Sequence, residues 1–362
     1  MRRPRANHEL VVTSQSPIHH RCQKAPRVPA VQTPSTTQSL PNDILRQCLF
    51  LAGPTACGKT DISLQLAEQL GNVEVLSLDS MCLYRGMTIG TAKPTDADQQ
   101  RVPHHLIDLI DPHEDFSVAQ FLAAAIVACE QIVARGNRPL FVGGTGLYLR
   151  SVLRGVFEGP AADWTIRNRL ELQAAESAAR GDHYWLMRQL EKVDPESALK
   201  LHPNDQRRLI RAIEVFELTG KPLSAQQLQP PLPVEQRPPH VYWLDVPRDW
   251  LHERIDRRVV AMCAAGLVDE VRGLLALPKG VGQTARQGLG YKELMDALSD
   301  NATAELSDAK QAECVELIQT RTRQFAKRQC TWFRNMDECV VIPLTGSESP
   351  TEAAGVLAAR IS

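Results

Sequence analysis

The chain has 362 residues, 43% of them hydrophobic and 23% charged, with 41 Lys and Arg against 42 Asp and Glu. That balance fits one or two ordinary globular domains and excludes a wholly basic nucleic-acid binder, though not a local basic patch. No apolar run approaches the roughly 18 residues of a membrane span, since the best, Phe121 to Cys129, runs into Glu130. The nine cysteines are an odd number without a CxxC pair. They argue against a disulfide framework or a zinc finger and point to a reducing compartment, with most of them serving as small core residues.

Residues 1–46 hold six prolines and seven Arg or Lys, with Glu9 and Asp43 as their only acids. Such a segment cannot bury enough apolar surface to offset the entropy of ordering, so it reads as a disordered basic tail. A transit peptide in 1–46 is the weaker reading, because prolines at 4, 17, 26, 29, 34 and 41 would interrupt its helix. A cytoplasmic protein is expected.

The pattern changes at Cys48. Cys48 to Ala52 is a short apolar run ending at Gly53, and Lys59 to Leu70 carries a helical stripe at Ile62, Leu66 and Leu70. A second strand is predicted over Val73 to Leu78, a helix over Val118 to Ala134, and a third strand over Pro139 to Val142, before Gly143 and Gly144. Short β-rich runs alternating with helical periods imply βαβ units and a parallel sheet. Residues 160–217 carry helical periods and many charges; the Pro-rich Gln229 to Pro239 closes them, and Val241 to Val246 returns to strand character. The expected architecture is an α/β core of residues 47–155 and 238–348, interrupted by an all-helical insertion over 156–237.

Gly53, Pro54, Thr55, Ala56, Cys57, Gly58, Lys59 and Thr60 match G-x-x-x-x-G-K-[ST]. By chance the match occurs in roughly one chain in a hundred of this length, and it lies between a strand and a helix, where the motif belongs. Its glycines let backbone N–H groups turn around a phosphate at a helix N-terminus. Lys59 adds a point charge, and the Thr60 hydroxyl can hold Mg²⁺. The chain should therefore bind a diphosphate or triphosphate through a P-loop NTPase-like core. A kinase or NTPase normally adds an acid at the end of a further apolar strand. Here that strand ends in Val142-Gly143-Gly144-Thr145-Gly146, and the acid comes earlier, at Asp79. A carboxylate at that position is placed for chemistry on the bound ligand, or else caps a turn.

Five further segments, in order, carry a resemblance. They are Asp79 to Pro94, Pro103 to Asp108, Gly143 to Tyr148, Asn204 to Arg208 and Lys327 to Arg334. Together they resemble the signatures of tRNA dimethylallyltransferases, over about residues 48–345. The resemblance implies a P-loop-type core with a helical insertion. It also implies transfer of a dimethylallyl group from dimethylallyl diphosphate to N6 of the adenosine 3′-adjacent to certain tRNA anticodons, with release of diphosphate. Cys82 stands where the family commonly has glutamine, and cysteine is a poor hydrogen-bonding substitute.

On that resemblance Lys59, Thr60 with Mg²⁺, and the loop amides neutralise the departing diphosphate. Asp79 accepts the proton of the adenine amine, and Thr145 orients the amine or the diphosphate. The target base must leave its stack, so a channel and a surface for the anticodon stem-loop are expected. Residues 321–334 hold Arg321, Arg323, Lys327, Arg328 and Arg334 without an acid. By resemblance tRNA is also met by Asp79, Ser80, Met81, Cys82 and Thr145, by Arg167, by Gln206, Arg207, Arg208, Leu209 and Ile210, and by Gly290, Tyr291 and Lys292. His104 and His105 lack third and fourth ligands and read as structural. The expected partners are tRNA and dimethylallyl diphosphate, with the protein acting as a monomer away from membranes. The rival is an adenylate isopentenyltransferase acting on free adenine nucleotides, which requires neither the helical insertion nor the basic segment.

Overall fold

The computed structural model describes residues 37–157, 159–227, 229–298 and 306–361. The strands are β1 (Thr37–Gln38), β2 (Leu49–Ala52), β3 (Val73–Ser77), β4 (His104–His105), β5 (Arg138–Gly143), β6 (Val156–Phe157), β7 (Val241–Asp245) and β8 (Val340–Pro343). Helices of the first half are α1 (Asn42–Leu45), α2 (Lys59–Leu70), α3 (Asp96–Arg101), α4 (Val118–Ala134) and α5 (Gly146–Arg154). Then come α6 (Trp164–Ala179), α7 (Trp185–Val193), α8 (Pro195–Lys200), α9 (Gln206–Thr219) and α10 (Leu223–Gln226). The last are α11 (Arg248–Ala264), α12 (Leu267–Leu275), α13 (Tyr291–Ala297), α14 (Asp308–Arg334) and α15 (Pro350–Ile361).

Six strands form one parallel sheet in the order β4-β3-β5-β2-β7-β8. The chain leaves β2 and returns at β3, two places away, and β5 later fills the gap between them. Ligands of open α/β sheets bind at such a crossing, beyond the carboxyl ends of the strands. Those ends are level here: Ala52 pairs with Gly143 and Trp243, and Ser77 pairs with Val142.

Side chains alternate across each strand, so the sheet has two apolar faces. Leu49, Leu51, Val73, Val75, Leu140 and Val142 pack with α2, α11, α13, α14 and α15. Phe50, Ala52, Leu76, Leu78 and Phe141 pack with α1, α4 and α5 on the other face, where the Phe50 and Phe141 rings stack at 5.1 Å. Both faces are covered, which explains why these strands read as nearly continuous apolar runs.

Between β6 and β7 the described residues contain helices and a 3-10 turn at Val234–Gln236, and no strand. This segment has its own small core, in which Leu170, Leu186, Leu190, Leu209, Ile210 and Ile213 are buried.

Two boundaries differ from the sequence reading. Composition puts the end of the tail at residue 46, but Thr37–Gln38 pairs antiparallel with Val156–Phe157, and Leu40, Ile44 and Leu45 are buried in the core. Three apolar side chains closely spaced on a short turn and helix suffice to dock it, a signal hidden by the flanking prolines. Residues 1–36 lie outside the described part. At the other end the core does not stop at 348, because α15 packs Ala353, Ala354 and Leu357 into the same cluster as α2.

Candidate active site

The phosphate loop runs from the end of β2 into α2, and three neighbours hold its shape. Gly53 donates its N–H to the Gly143 carbonyl at 3.3 Å. Thr55 donates its N–H to Oε1 of the buried Gln329 at 2.8 Å, while Gln329 Nε2 donates to the Gly144 carbonyl at 2.8 Å. A Cβ on Gly144 would sit 2.2 Å from that Nε2, so only glycine lets the strut cross there. Arg254 donates Nε–H to the Ala56 carbonyl at 2.9 Å. Ala56 has φ 63°, a left-handed conformation that costs an alanine about 1 kcal/mol or more and needs such support. Lys59 donates Nζ to the Pro54 carbonyl at 3.0 Å, which leaves ammonium donors for an anion above the loop.

Asp79 follows β3 at the same sheet end. Its Oδ1 accepts the Met81 N–H at 2.8 Å, so it closes an Asx turn and caps no helix. Asp79 also lines the cavity that holds Lys59 and Thr60, so it closes a turn and stands beside the phosphate loop at once. Thr145 crosses to this turn from the end of β5. It donates its N–H to the Leu78 carbonyl at 2.9 Å, and its Oγ1 accepts the Ser80 N–H at 3.2 Å. Although Thr145 stands at the N-cap of α5, its side chain makes no capping bond.

These groups open onto one cavity of about 380 Å³. Thr55, Ala56, Lys59 and Thr60 form its phosphate-loop wall, and Asp79 to Cys82 with Thr145 form the next. Gly290, Tyr291, Arg328 and Gln329 close it from α13 and α14. Gly53, Pro54, Cys57 and Gly58 form the body of the loop and do not line it. Cys82 is buried, and burial together with the nearby Asp79 charge pushes its thiol far above the ordinary value. It is a neutral, weakly polar wall at that position.

Arg258 is the main residue that the sequence reading missed. It lines the cavity from α11, where burial disfavours its charge and the carboxylate of Asp79 favours it. A signal existed: Leu251, Ile255 and Val259 form a buried stripe four residues apart, and Arg254 and Arg258 flank it at the same spacing. Arginines beside a buried stripe lay their methylene stems along the packed face. Glu270 was also missed. Its carboxylate accepts the N–H groups of Thr88, Ile89 and Gly90 and the Tyr291 hydroxyl at 2.6 Å, tying the segment after Asp79 to α12 and α13.

The other residues expected to meet RNA fall into three groups. Gln206, Arg207 and Arg208 are exposed at the start of α9, with Arg208 paired to Asp205 at 3.2 Å, and Lys327, Arg328 and Arg334 are exposed along α14, with Arg334 3.9 Å from Asp245. Arg167, Arg323 and Lys292 are engaged within the chain. Arg167 makes two bonds to the buried Glu214 at 2.8 and 2.9 Å and lies over Trp164, while Arg323 pairs with Asp256 and Lys292 with Asp296. Leu209 and Ile210 are buried, so their side chains offer no RNA surface, and Tyr291, also buried, reaches only the wall of the cavity. Leu209 and Ile210 continue the apolar stripe of an amphipathic helix, which the neighbouring arginines obscured.

His104 donates Nδ1–H to the Val102 carbonyl at 2.7 Å, and His105 Nε2 bonds the Glu74 carboxylate at 2.7 Å. Among the described residues no three His, Cys, Asp or Glu side chains cluster as metal ligands, and no helix is long and apolar enough to cross a membrane.

The sequence model of IPP transferases matches residues 82–336. The tRNA dimethylallyltransferase of Rhodopirellula baltica is 43% identical over 297 residues, covering 80% of this chain and 86% of the relative. That of Symbiobacterium thermophilum is 46% identical over 310 residues, covering 84% and 92%. Among solved structures, the full-length tRNA isopentenylpyrophosphate transferase of Bacillus halodurans superposes with a TM-score of 0.59 at 37% identity, covering 87% of this chain and 96% of that one. A eukaryotic dimethylallyltransferase described as acting on tRNA superposes with a TM-score of 0.67 at 28% identity, covering 85% and 77%. The six-stranded parallel sheet, the phosphate loop and these likenesses agree, and the chain belongs to the IPP transferase family.

Proposed function

We propose that this chain transfers a dimethylallyl group from dimethylallyl diphosphate to N6 of the adenosine 3′-adjacent to the anticodon of certain tRNAs, releasing diphosphate. One observation carries the reading: the phosphate loop and the Asp79 carboxylate open into the same cavity. An anion site beside a carboxylate suits a reaction in which a diphosphate leaves and a proton is lost. The relatives' common activity, tRNA dimethylallyl transfer, selects that reaction among the possibilities.

In the proposed step a bond forms between the adenine N6 and the allylic carbon while the carbon–oxygen bond to diphosphate breaks. The leaving charge passes to the diphosphate, which faces Lys59, Arg258 and the loop amides. The amine loses its proton to Asp79, whose Oδ1 is fixed by Met81 and whose turn is held by Thr145 through Ser80. Thr60 is the residue suited to Mg²⁺, since that ion takes one or two protein oxygens and fills its remaining positions with phosphate oxygens and water. When bound there it supplies further neutralisation of the diphosphate. The exposed cations of α9 and α14 support an RNA acceptor over a free nucleotide, which needs no such surface. The reading places the work where tRNA is handled, in the cytoplasm.

The test is mass spectrometry of nucleosides from tRNA incubated with the protein, Mg²⁺ and dimethylallyl diphosphate, beside a parallel reaction on AMP. N6-dimethylallyladenosine in the tRNA arm alone is the expected result. Product in the AMP arm alone would transfer the chain to the adenylate class.

A further inference from the structure

A second depression lies beside the active-site cavity, between α5 and α14. Its lining includes Arg150, Arg154, Lys327, Arg328 and Trp332, and Arg328 lines the active-site cavity as well. The two sites therefore share a wall.

The depression is built around an arginine placed over an indole. Trp332 lies against the first turn of α5, where a Cβ on Gly146 would come within 2.2 Å of the ring. Arg150 is one turn further along and places its guanidinium 5.7 Å from the Trp332 ring centre. The indole Nε1 is buried with no hydrogen-bond partner, so packing and the arginine over it hold this ring. A guanidinium held over an aromatic face by the ring's quadrupole keeps its N–H donors free for an anion.

The charge here is unbalanced. Arg154 is committed to the buried Glu338 at 2.8 Å. Among the described residues, Arg150, Lys327 and Arg328 have no carboxylate within ion-pair distance. Burial and the facing charges of Arg154 and Arg208 all disfavour the charge on Arg150. Cations gathered in this way are stabilised by an anion from outside. The loop of the first cavity already serves a diphosphate, and a polymeric acceptor brings phosphates on both sides of its reacting nucleotide.

We infer that the cleft between α5 and α14 receives a backbone phosphate of the RNA beside the acceptor adenosine, held by Arg150 and Lys327, and so sets which nucleotide enters the active site. The inference rests on the RNA-acceptor reading above and deepens it. Arg150 would act as a positioning residue, remote from the reacting atoms.

The test pairs protein variants with RNA variants. Binding of a synthetic anticodon stem-loop is measured for wild type, Arg150→Gln and Arg150→Lys. Each loop phosphate near the acceptor is replaced in turn by an uncharged methylphosphonate, with matched 2′-deoxy phosphates as controls. Arg150→Gln should weaken binding of the unmodified loop by about ten- to a hundredfold, the range of one charge-assisted contact, and Arg150→Lys should recover most of it. One methylphosphonate should weaken wild type to a similar degree and weaken Arg150→Gln no further. Affinity for inorganic diphosphate should change less than about twofold, since that ligand belongs to the loop. Three results would overturn the inference: unchanged RNA affinity in Arg150→Gln, losses that multiply at every phosphate position, or a selective loss of diphosphate affinity. If wild type neither binds nor modifies any stem-loop, the RNA-acceptor reading fails first and takes this inference with it. Circular dichroism of Arg150→Gln and Arg150→Lys separates misfolding from lost contact.

Discussion

Two carboxylates show how differently the same chemical group is used within one sheet. Asp79 has one oxygen engaged by the Met81 N–H and faces a cavity beside a cationic loop. Asparagine preserves its shape and the turn but cannot take a proton. Asp79→Asn should thus retain both substrates while the single-turnover rate falls about 10²- to 10⁴-fold. A normal rate in a folded variant would leave Asp79 with only its turn. Glu74 stands at the opposite end of the same strand, its side chain almost fully buried. Burial alone would raise its pKa, but hydrogen bonds from Arg135, Asn137 and His105 outweigh that and hold the carboxyl at about 2, below its usual 4.5. A depressed folded-state pKa stabilises the protein above the unfolded value, and the contribution is lost as pH falls from about 4.5 towards 2. Urea midpoints measured across this range should drop steeply in wild type and less steeply in Glu74→Gln. The contribution at neutral pH should be about 3 kcal/mol.

At the scale of the element, α14 divides its cations into two sets. Arg321 is tied to Glu293 and Arg323 to Asp256, so the middle of the helix is fastened to α13 and α11. Lys327 and Arg328 come one to two turns later, beside the active-site cavity, without such partners. A lysine that meets a phosphate releases a counterion, and its removal flattens the dependence of log affinity on log salt. Lys327→Ala should lower that slope for tRNA by about 0.7 to 0.9, and should weaken different substrate tRNAs about equally. Arg323→Ala should leave the slope nearly unchanged and should instead lower the denaturation midpoint. Equal effects of the two changes on the slope would mean that the ion pair with Asp256 opens when RNA binds. Composition made all five cations look alike; the carboxylates that separate them lie 28 and 67 residues away in sequence.

For the whole molecule, the active site depends on segments far from it in the chain. The phosphate loop is held by Gln329 of α14 and Arg254 of α11, so its shape is decided nearly 200 or more residues downstream. The helix behind that loop, α2, is itself covered by α15 at the C-terminus, through Ala353, Ala354 and Leu357. Ending the chain at Ser349 would expose that face of α2. The loss should be at least about 3 kcal/mol from the apolar surface alone, read as a lower urea midpoint. Dimethylallyl diphosphate affinity should fall with it, because the loop and α2 move together. Full stability in the truncated chain would show α15 to be dispensable cover.

Local chemistry decided much of this protein in advance. The glycine spacing and Lys59-Thr60 between an apolar strand and a helix leave little else to build than a phosphate loop, because the motif acts through its own backbone. The strands over 48–52, 73–78, 139–142 and 241–246 were legible for a similar reason, since strands buried on both faces are apolar throughout. Asp79 and Thr145 could be named because both follow such strands at the same sheet end. What remained hidden depends on partners distant in sequence. Arg258 is one more arginine in a charged helix until folding aims it at Asp79, and Arg150 is one more cation until Trp332 is placed beneath it. Arg167, Leu209, Ile210 and Tyr291 lie in segments that the family resemblance singled out. Packing buries three of them and pairs Arg167 with Glu214. Sequence records which groups are present and their local period; burial and pairing are set by the elements that close over them, and those assemble only in the tertiary structure.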